Sequence, residues 1–113
     1  MYQELRKTIE QAWDQKDLLS EEATQKAIRQ VIELLDKGNL RVAQPINGGW
    51  QVNEWVKKAV ILYFPIQKME TVEVGPFEFH DKIALKTNYK ELNVRVVPHA
   101  IARYGAFINS GVI

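Results

Sequence analysis

Ile101-Ala102-Arg103-Tyr104-Gly105-Ala106 is followed by Phe107-Ile108-Asn109-Ser110-Gly111-Val112, and Ile113 opens a third unit of the same kind. Apolar residues recur six apart at Ile101, Phe107 and Ile113, and glycines at Gly105 and Gly111. Small or apolar residues occupy Ala106 and Val112. A hexapeptide period is the mark of a parallel β-helix, in which each short strand lies on its equivalent in the next coil. One coil cannot bury its own inward face, so three or more stacked units are needed. Barely two are present, and the chain is expected to be the front piece of a longer protein.

Upstream of this run the pattern is helical. Tyr2, Leu5, Ile9, Ala12 and Trp13 form one apolar stripe and predict a helix over residues 2–15. Ser20 is a suitable N-cap for a second helix, with Glu21 and Glu22 favoured by the helix dipole. That helix is expected to bury Ala23, Ala27, Ile28, Val31, Leu34 and Leu35, and to end where Gly38 supplies a left-handed residue. Residues 40–44 and 50–52 read as a hairpin around Pro45-Ile46-Asn47-Gly48-Gly49, because Asn-Gly offers the positive φ angles of a tight turn.

Asn53 then caps a third helix from Glu54 to Tyr63, which Pro65 terminates. Its segment 59–64 is apolar on nearly every side, which fits the most buried helix of the domain or a buried strand. From Ile66 to Glu91 the pattern weakens. Gly75-Pro76 signals a turn, Phe77 and Phe79 alternate with Glu78 and His80 over a short candidate strand, and the rest of the segment is expected to wander over the surface. Asn93-Val94-Arg95-Val96-Val97-Pro98 reads as a short strand, with a boundary between a domain over 1–94 and the hexapeptide region over 95–113.

The chain has 113 residues, 46% of them hydrophobic and 26% charged, which suits one soluble globular domain. A net charge of +1 gives no reason to expect a nucleic-acid or membrane partner. Cysteine is absent, so disulfides and thiolate nucleophiles are excluded, in keeping with a cytoplasmic location. No basic-then-apolar leader opens the chain, and no run approaches the roughly 18 apolar residues of a membrane span.

No catalytic constellation is legible within the chain. His80 and His99 are isolated, no cluster has metal-ligand spacing, and no cofactor motif is present. Ser20 and Ser110 are better read as a helix cap and a repeat residue than as nucleophiles. Lys57-Lys58 beside Trp50 and Trp55 reads as two solvated lysines and two core tryptophans rather than a nucleic-acid patch. Arg95 stands out at the entrance to the repeat. Its guanidinium could hold a carboxylate in bidentate fashion or serve a structural ion pair. Arg103 poses the same choice, on an outward repeat position.

Several stretches together resemble the tetrahydrodipicolinate N-succinyltransferases of bacterial lysine and diaminopimelate biosynthesis. They are Val31-Ile32-Glu33-Leu34-Leu35-Asp36, Leu40-Arg41-Val42-Ala43, Trp55-Val56-Lys57-Lys58-Ala59-Val60, Phe79-His80-Asp81-Lys82-Ile83, Arg95-Val96-Val97-Pro98 and Arg103-Tyr104-Gly105-Ala106-Phe107-Ile108. The resemblance implies a cytoplasmic homotrimer whose subunits join an N-terminal α/β domain to a left-handed parallel β-helix. It implies succinyl transfer from succinyl-CoA, a cosubstrate, to tetrahydrodipicolinate, at sites between neighbouring β-helices. Arg95 is then a substrate-binding residue, since the family's Arg-Val-Val-Pro arginine binds the dicarboxylate.

The expected fold class is therefore α+β: a small N-terminal helical domain with a β-hairpin, leading into the first hexapeptide units of a left-handed parallel β-helix. The family's acidic residue and coenzyme A groove fall past Ile113, so the isolated chain is expected to be inactive. The alternative is a non-catalytic interaction or oligomerisation module that docks through its apolar tail.

Overall fold

Apolar residues at helical spacing make helices within the first 66 residues, and their stripes meet in one core. The computed structural model describes residues 2–113. Helix α1 spans Gln3–Asp14, α2 Glu22–Asp36 and α3 Glu54–Ile66, with a 3₁₀ turn over Lys16–Ser20. The three helices pack on one another. Ile9, Ile28, Val31, Val56 and Leu62 are the largest fully buried side chains. Each contributes on the order of 1.5–3 kcal/mol relative to exposure. Tyr2, Leu5 and Trp13 of the first stripe pack against the core from its edge.

Helix α2 departs from the expected outline in two ways. Glu21, not Ser20, is its N-cap, because the Ser20 hydroxyl donates to the Asp17 carbonyl and closes the 3₁₀ turn instead. Its buried face is Thr24, Ala27, Ile28, Val31, Ile32 and Asp36, so Ala23 is exposed and Leu34 and Leu35 only half-buried. Its end is as expected. Gly38 takes φ +78°, with Gly38 N–H donating to Leu35 O and Asn39 N–H to Leu34 O.

Strand β1 (Ala43–Ile46) pairs antiparallel with β2 (Gly49–Val52) across Asn47-Gly48, with Ala43 opposite Val52 and Ile46 opposite Gly49. Only Gly48 takes positive φ, at +81°, so the turn needs one left-handed residue rather than two. Trp50, expected in the core, is 68% exposed on this hairpin. Asn53 occupies the N-cap of α3, but its side chain makes no cap bond. Its amide donates to the Arg41 carbonyl and to Gln44 Oε1, tying helix to hairpin.

Helix α3 carries Pro65 inside its last turn and ends at Ile66, three residues beyond the expected Tyr63. The helical reading of 59–64 holds over the strand reading. Burial is less complete than expected, since Ile61 and Phe64 reach solvent.

Residues 66–91 do not wander. Strand β3 (Glu70–Val74) pairs with β4 (Phe77–Asp81) around Gly75-Pro76 as a second hairpin in a separate two-stranded sheet. Val72 faces Phe79 and Val74 faces Phe77 across it, and these cross-strand apolar pairs hold the register. Residues 93–98 form no strand. A single helical turn, α4 (Tyr89–Leu92), precedes them, and Asn88 and Asn93 at its ends are both left-handed.

The hexapeptide run is pinned to α2 rather than built into strands of its own. Among the described residues its one ladder contact is an antiparallel bridge between Leu85 and Arg103. Phe107 lies over Gly38, where an added Cβ would come within 2.8 Å of the ring. The anchor is Asp36. Its Oδ1 accepts from Lys86 Nζ at 2.7 Å and from the Gly105 N–H at 2.9 Å, and Lys37 Nζ lies 3.2 Å from Oδ2. Asp36 and Lys86 are both buried.

Burial alone would push the Asp36 carboxyl up. The hydrogen bonds from Lys86, the Gly105 N–H and Lys37 outweigh it and hold the carboxyl below its ordinary value of 3.8. Removing one partner of a buried ion pair strands the other charge, at a cost of about 3–5 kcal/mol. Lys86→Met should therefore lower the unfolding free energy by about 3 kcal/mol in urea titration. A loss under about 1 kcal/mol would show that the pair does not hold the tail.

The acid limb follows from the same group. A depressed folded-state pKa adds stability that is present above the ordinary value and is lost as pH falls through the folded one. The stability difference between this chain and Asp36→Asn should be full near about pH 6 and should shrink below 3.8. Chemical denaturation across that range reads it, and a difference that stays constant refutes the assignment.

Candidate functional site

Arg95 enters the site through its backbone. The left-handed Asn93 turns the chain out of α4, and Val94 N–H donates to Tyr89 O at 2.9 Å while its side chain is buried. Gly111 N–H donates to Asn93 O at 2.7 Å, and Arg95 N–H donates to Val112 O at 3.0 Å. Asn93 Nδ2 also donates to Ser110 Oγ. Residues 93–95 and 110–112 are thereby clamped side by side.

The Arg95 side chain is exposed and has no hydrogen-bond or ion-pair partner among the described residues. It borders a cleft of about 420 Å³ that is otherwise lined by apolar groups, among them Tyr89, Val96, Ile101, Ile108 and Ile113. A guanidinium at the rim of an apolar cleft offers two parallel donors to a carboxylate while the carbon skeleton rests on the wall.

Arg103 is otherwise placed. Its Nη2 lies 2.5 Å from Asp81 Oδ2, and the guanidinium sits 5.6 Å from the centre of the Phe64 ring. Hydrogen bonds from Arg103, and then from the Lys82 N–H, hold the Asp81 carboxyl below its usual range. The pair is half-exposed and fastens the hexapeptide run to β4. Next to it, Tyr104 OH donates to Glu33. Burial first, and the Glu33 carboxylate second, push the Tyr104 phenol well up, so it remains a donor. Neither interaction was visible in the sequence, because Asp81 and Glu33 lie 22 and 71 residues from their partners.

The two histidines are not brought together. His80 Nδ1 shares a hydrogen bond with Thr71 Oγ1 across the second hairpin, and His99 packs edge-on to Phe77 at 5.4 Å. No group of three or more His, Cys, Asp or Glu among the described residues could hold a metal ion. Ser110 accepts from Asn93, and Ser20 closes the 3₁₀ turn.

Residues 4–66 match the family model described as tetrahydrodipicolinate N-succinyltransferase N-terminal. Among curated relatives, the 2,3,4,5-tetrahydropyridine-2,6-dicarboxylate N-succinyltransferase of Coxiella burnetii (strain Dugway 5J108-111) is 44% identical, over 93% of this chain and 42% of that protein. The protein of that name from Aeromonas salmonicida (strain A449) is 43% identical, over 93% of this chain and 42% of its own length. The one from Pseudoalteromonas translucida (strain TAC 125) is 38% identical, over 97% and 44% respectively. The chain thus spans less than half the length of the relatives it matches. With more than half of its residues inside the family model and this identity along nearly all of it, the chain belongs to the tetrahydrodipicolinate N-succinyltransferase family.

Proposed function

We propose that this chain is the N-terminal portion of an acyltransferase that moves succinyl from succinyl-CoA to tetrahydrodipicolinate. The observation that carries the reading is Arg95, its backbone clamped and its guanidinium unpaired among the described residues, beside an apolar cleft. The substrate named for the relatives bears two carboxylates, and a fixed arginine selects such a group by charge and by bidentate geometry. Arg103, engaged with Asp81, is not free for that task.

The tetrahydropyridine nitrogen is an imine without a proton, so water first adds across the C=N bond to give a ring N–H. Succinyl transfer then joins that nitrogen to the thioester carbonyl, passes through a tetrahedral oxyanion and expels coenzyme A as its thiolate, and the hydrated ring opens to the 6-oxo chain. A base must take the nitrogen's proton, and donors must meet the oxyanion. On this reading those groups and the coenzyme A groove belong to residues past Ile113, in a left-handed parallel β-helix. The clamp between 93–95 and 110–112 supports that extension. Its two backbone hydrogen bonds join residues 18 and 17 apart, close to three hexapeptide units. The assembled enzyme is then a cytoplasmic homotrimer with its sites between neighbouring β-helices.

A second reading, a docking module without catalysis, draws on the exposure of Ile101 (56%), Phe107 (51%) and Ile113 (80%). Arg95 separates the two. In the full-length enzyme, Arg95→Met should raise KM for the dicarboxylate at least about 30-fold, roughly 2 kcal/mol, with the melting temperature unchanged. Arg95→Lys should recover only part of this, because an ammonium cannot form the paired contact. An unaltered KM in both variants would transfer the weight to the docking reading.

The purified 113-residue chain, given succinyl-CoA and tetrahydrodipicolinate, should release no coenzyme A above background. Turnover by the chain alone would place the missing groups within these residues.

A further inference from the structure

Arg41 belongs to a stretch, Leu40-Arg41-Val42-Ala43, that the Arg95 site does not use. It lines a cleft of about 620 Å³ between the start of α1, the end of α2 and the first hairpin. Arg6, Asn39, Arg41, Gln44, Gln51 and Trp55 are among the lining residues, and no carboxylate is. In a chain with 14 acidic and 15 basic residues, a cleft with two arginines, several amides and no acid is a local excess of positive charge and neutral donors.

Its floor is ordered. Asn53 Nδ2 donates to the Arg41 carbonyl at 2.8 Å, and Asn53 N–H donates to Val42 O at 2.7 Å, so the backbone is fixed directly after the Arg41 side chain. The Arg41 guanidinium itself has no partner among the described residues. Gln44 Oε1 accepts from Asn53 at 3.1 Å, which leaves the Gln44 NH₂ group as a donor. Asn53 Oδ1 in turn accepts from Gln51 Nε2 at 3.3 Å. Arg6 bonds Glu10 through Nε in an exposed pair of little energetic weight, so Arg41 is the stronger anion ligand of the two.

We propose that this cleft binds a small carboxylate- or phosphate-bearing anion, with Arg41 as its charged ligand and the neighbouring amides as neutral donors. The site is separate from Arg95 and stands whether or not Arg95 binds substrate. An unpaired guanidinium flanked by amides, with Trp55 at the side and no acid lining the cleft, suits a compact anion.

The test is a ¹H–¹⁵N correlation titration of the 113-residue chain with succinate and, separately, with inorganic phosphate, at ionic strength held constant by sodium chloride. Saturable shifts should appear at the Arg41 Nε–H, at Asn39 and at the Gln44 and Gln51 side-chain amides. Saturation by succinate alone assigns a carboxylate site, and saturation by phosphate alone a phosphate site; either supports the proposal. Arg41→Gln should weaken the response at least tenfold. Gln51→Glu, a change on an exposed strand that adds a repelling charge, should do the same and decides the matter if Arg41→Gln does not fold. Shifts that never saturate, that survive both substitutions, or that centre on Arg95 would overturn it.

Discussion

Two opposite charges removed from water, Asp36 and Lys86, hold the second half of this chain against the first. A buried ion pair is stable only if the remaining lone pairs and protons find partners. Here the carboxylate gathers Lys86, the Gly105 N–H and Lys37. Lys86 also lies 3.4 Å from the Asp36 carbonyl, one of the acceptors left over at the end of α2. An acidic side chain at a helix C-terminus is disfavoured by the helix dipole. One buried ammonium offsets both the carboxylate and the helix end. The hexapeptide run, the Tyr104–Glu33 bond and the packing of Phe107 on Gly38 all lie within a few residues of that point.

What the sequence made legible was local. The three helices follow from apolar spacing, the stop at Gly38 from the need for a left-handed residue, and the first hairpin from Asn47-Gly48. Of the second hairpin, the Gly75-Pro76 turn and a strand over residues 77–80 were legible, but its partner Glu70–Val74 was not, because Glu70 lies opposite Asp81 and Glu73 opposite Glu78 and such acidic pairs do not announce a pairing. Trp50 was misplaced because an aromatic residue next to a glycine turn carries no sign of which side of a two-stranded hairpin will be covered. The Asn93–Pro98 stretch had strand composition without a strand partner. It is organised instead by a left-handed asparagine and two bonds to residues 111–112.

The arginines show the same limit at the site. Arg41, Arg95 and Arg103 sit in similar apolar-flanked contexts, and composition does not rank them. Position in the fold does. Arg103 meets an acid brought near by β4, while Arg41 and Arg95 each border a cleft and have no acid beside them among the described residues. A guanidinium already engaged stabilises its surroundings; one with a fixed backbone and an open head is available to a ligand.

The spacing of the Asp36 contacts has a consequence for how the chain is made. Residues 3–66 hold nearly all of the buried core, to which Ile83 and the partly buried Tyr104 are added from later in the chain. Asp36 must wait for Lys86 and Gly105, 50 and 69 positions later. During synthesis the helical layer can close early, with the Asp36 carboxylate still in water and Gly38 still uncovered. Desolvation of that carboxylate is deferred until its cation has left the ribosome. The apolar tail then arrives at a finished surface, and its docking becomes a late step added to a body that has already folded.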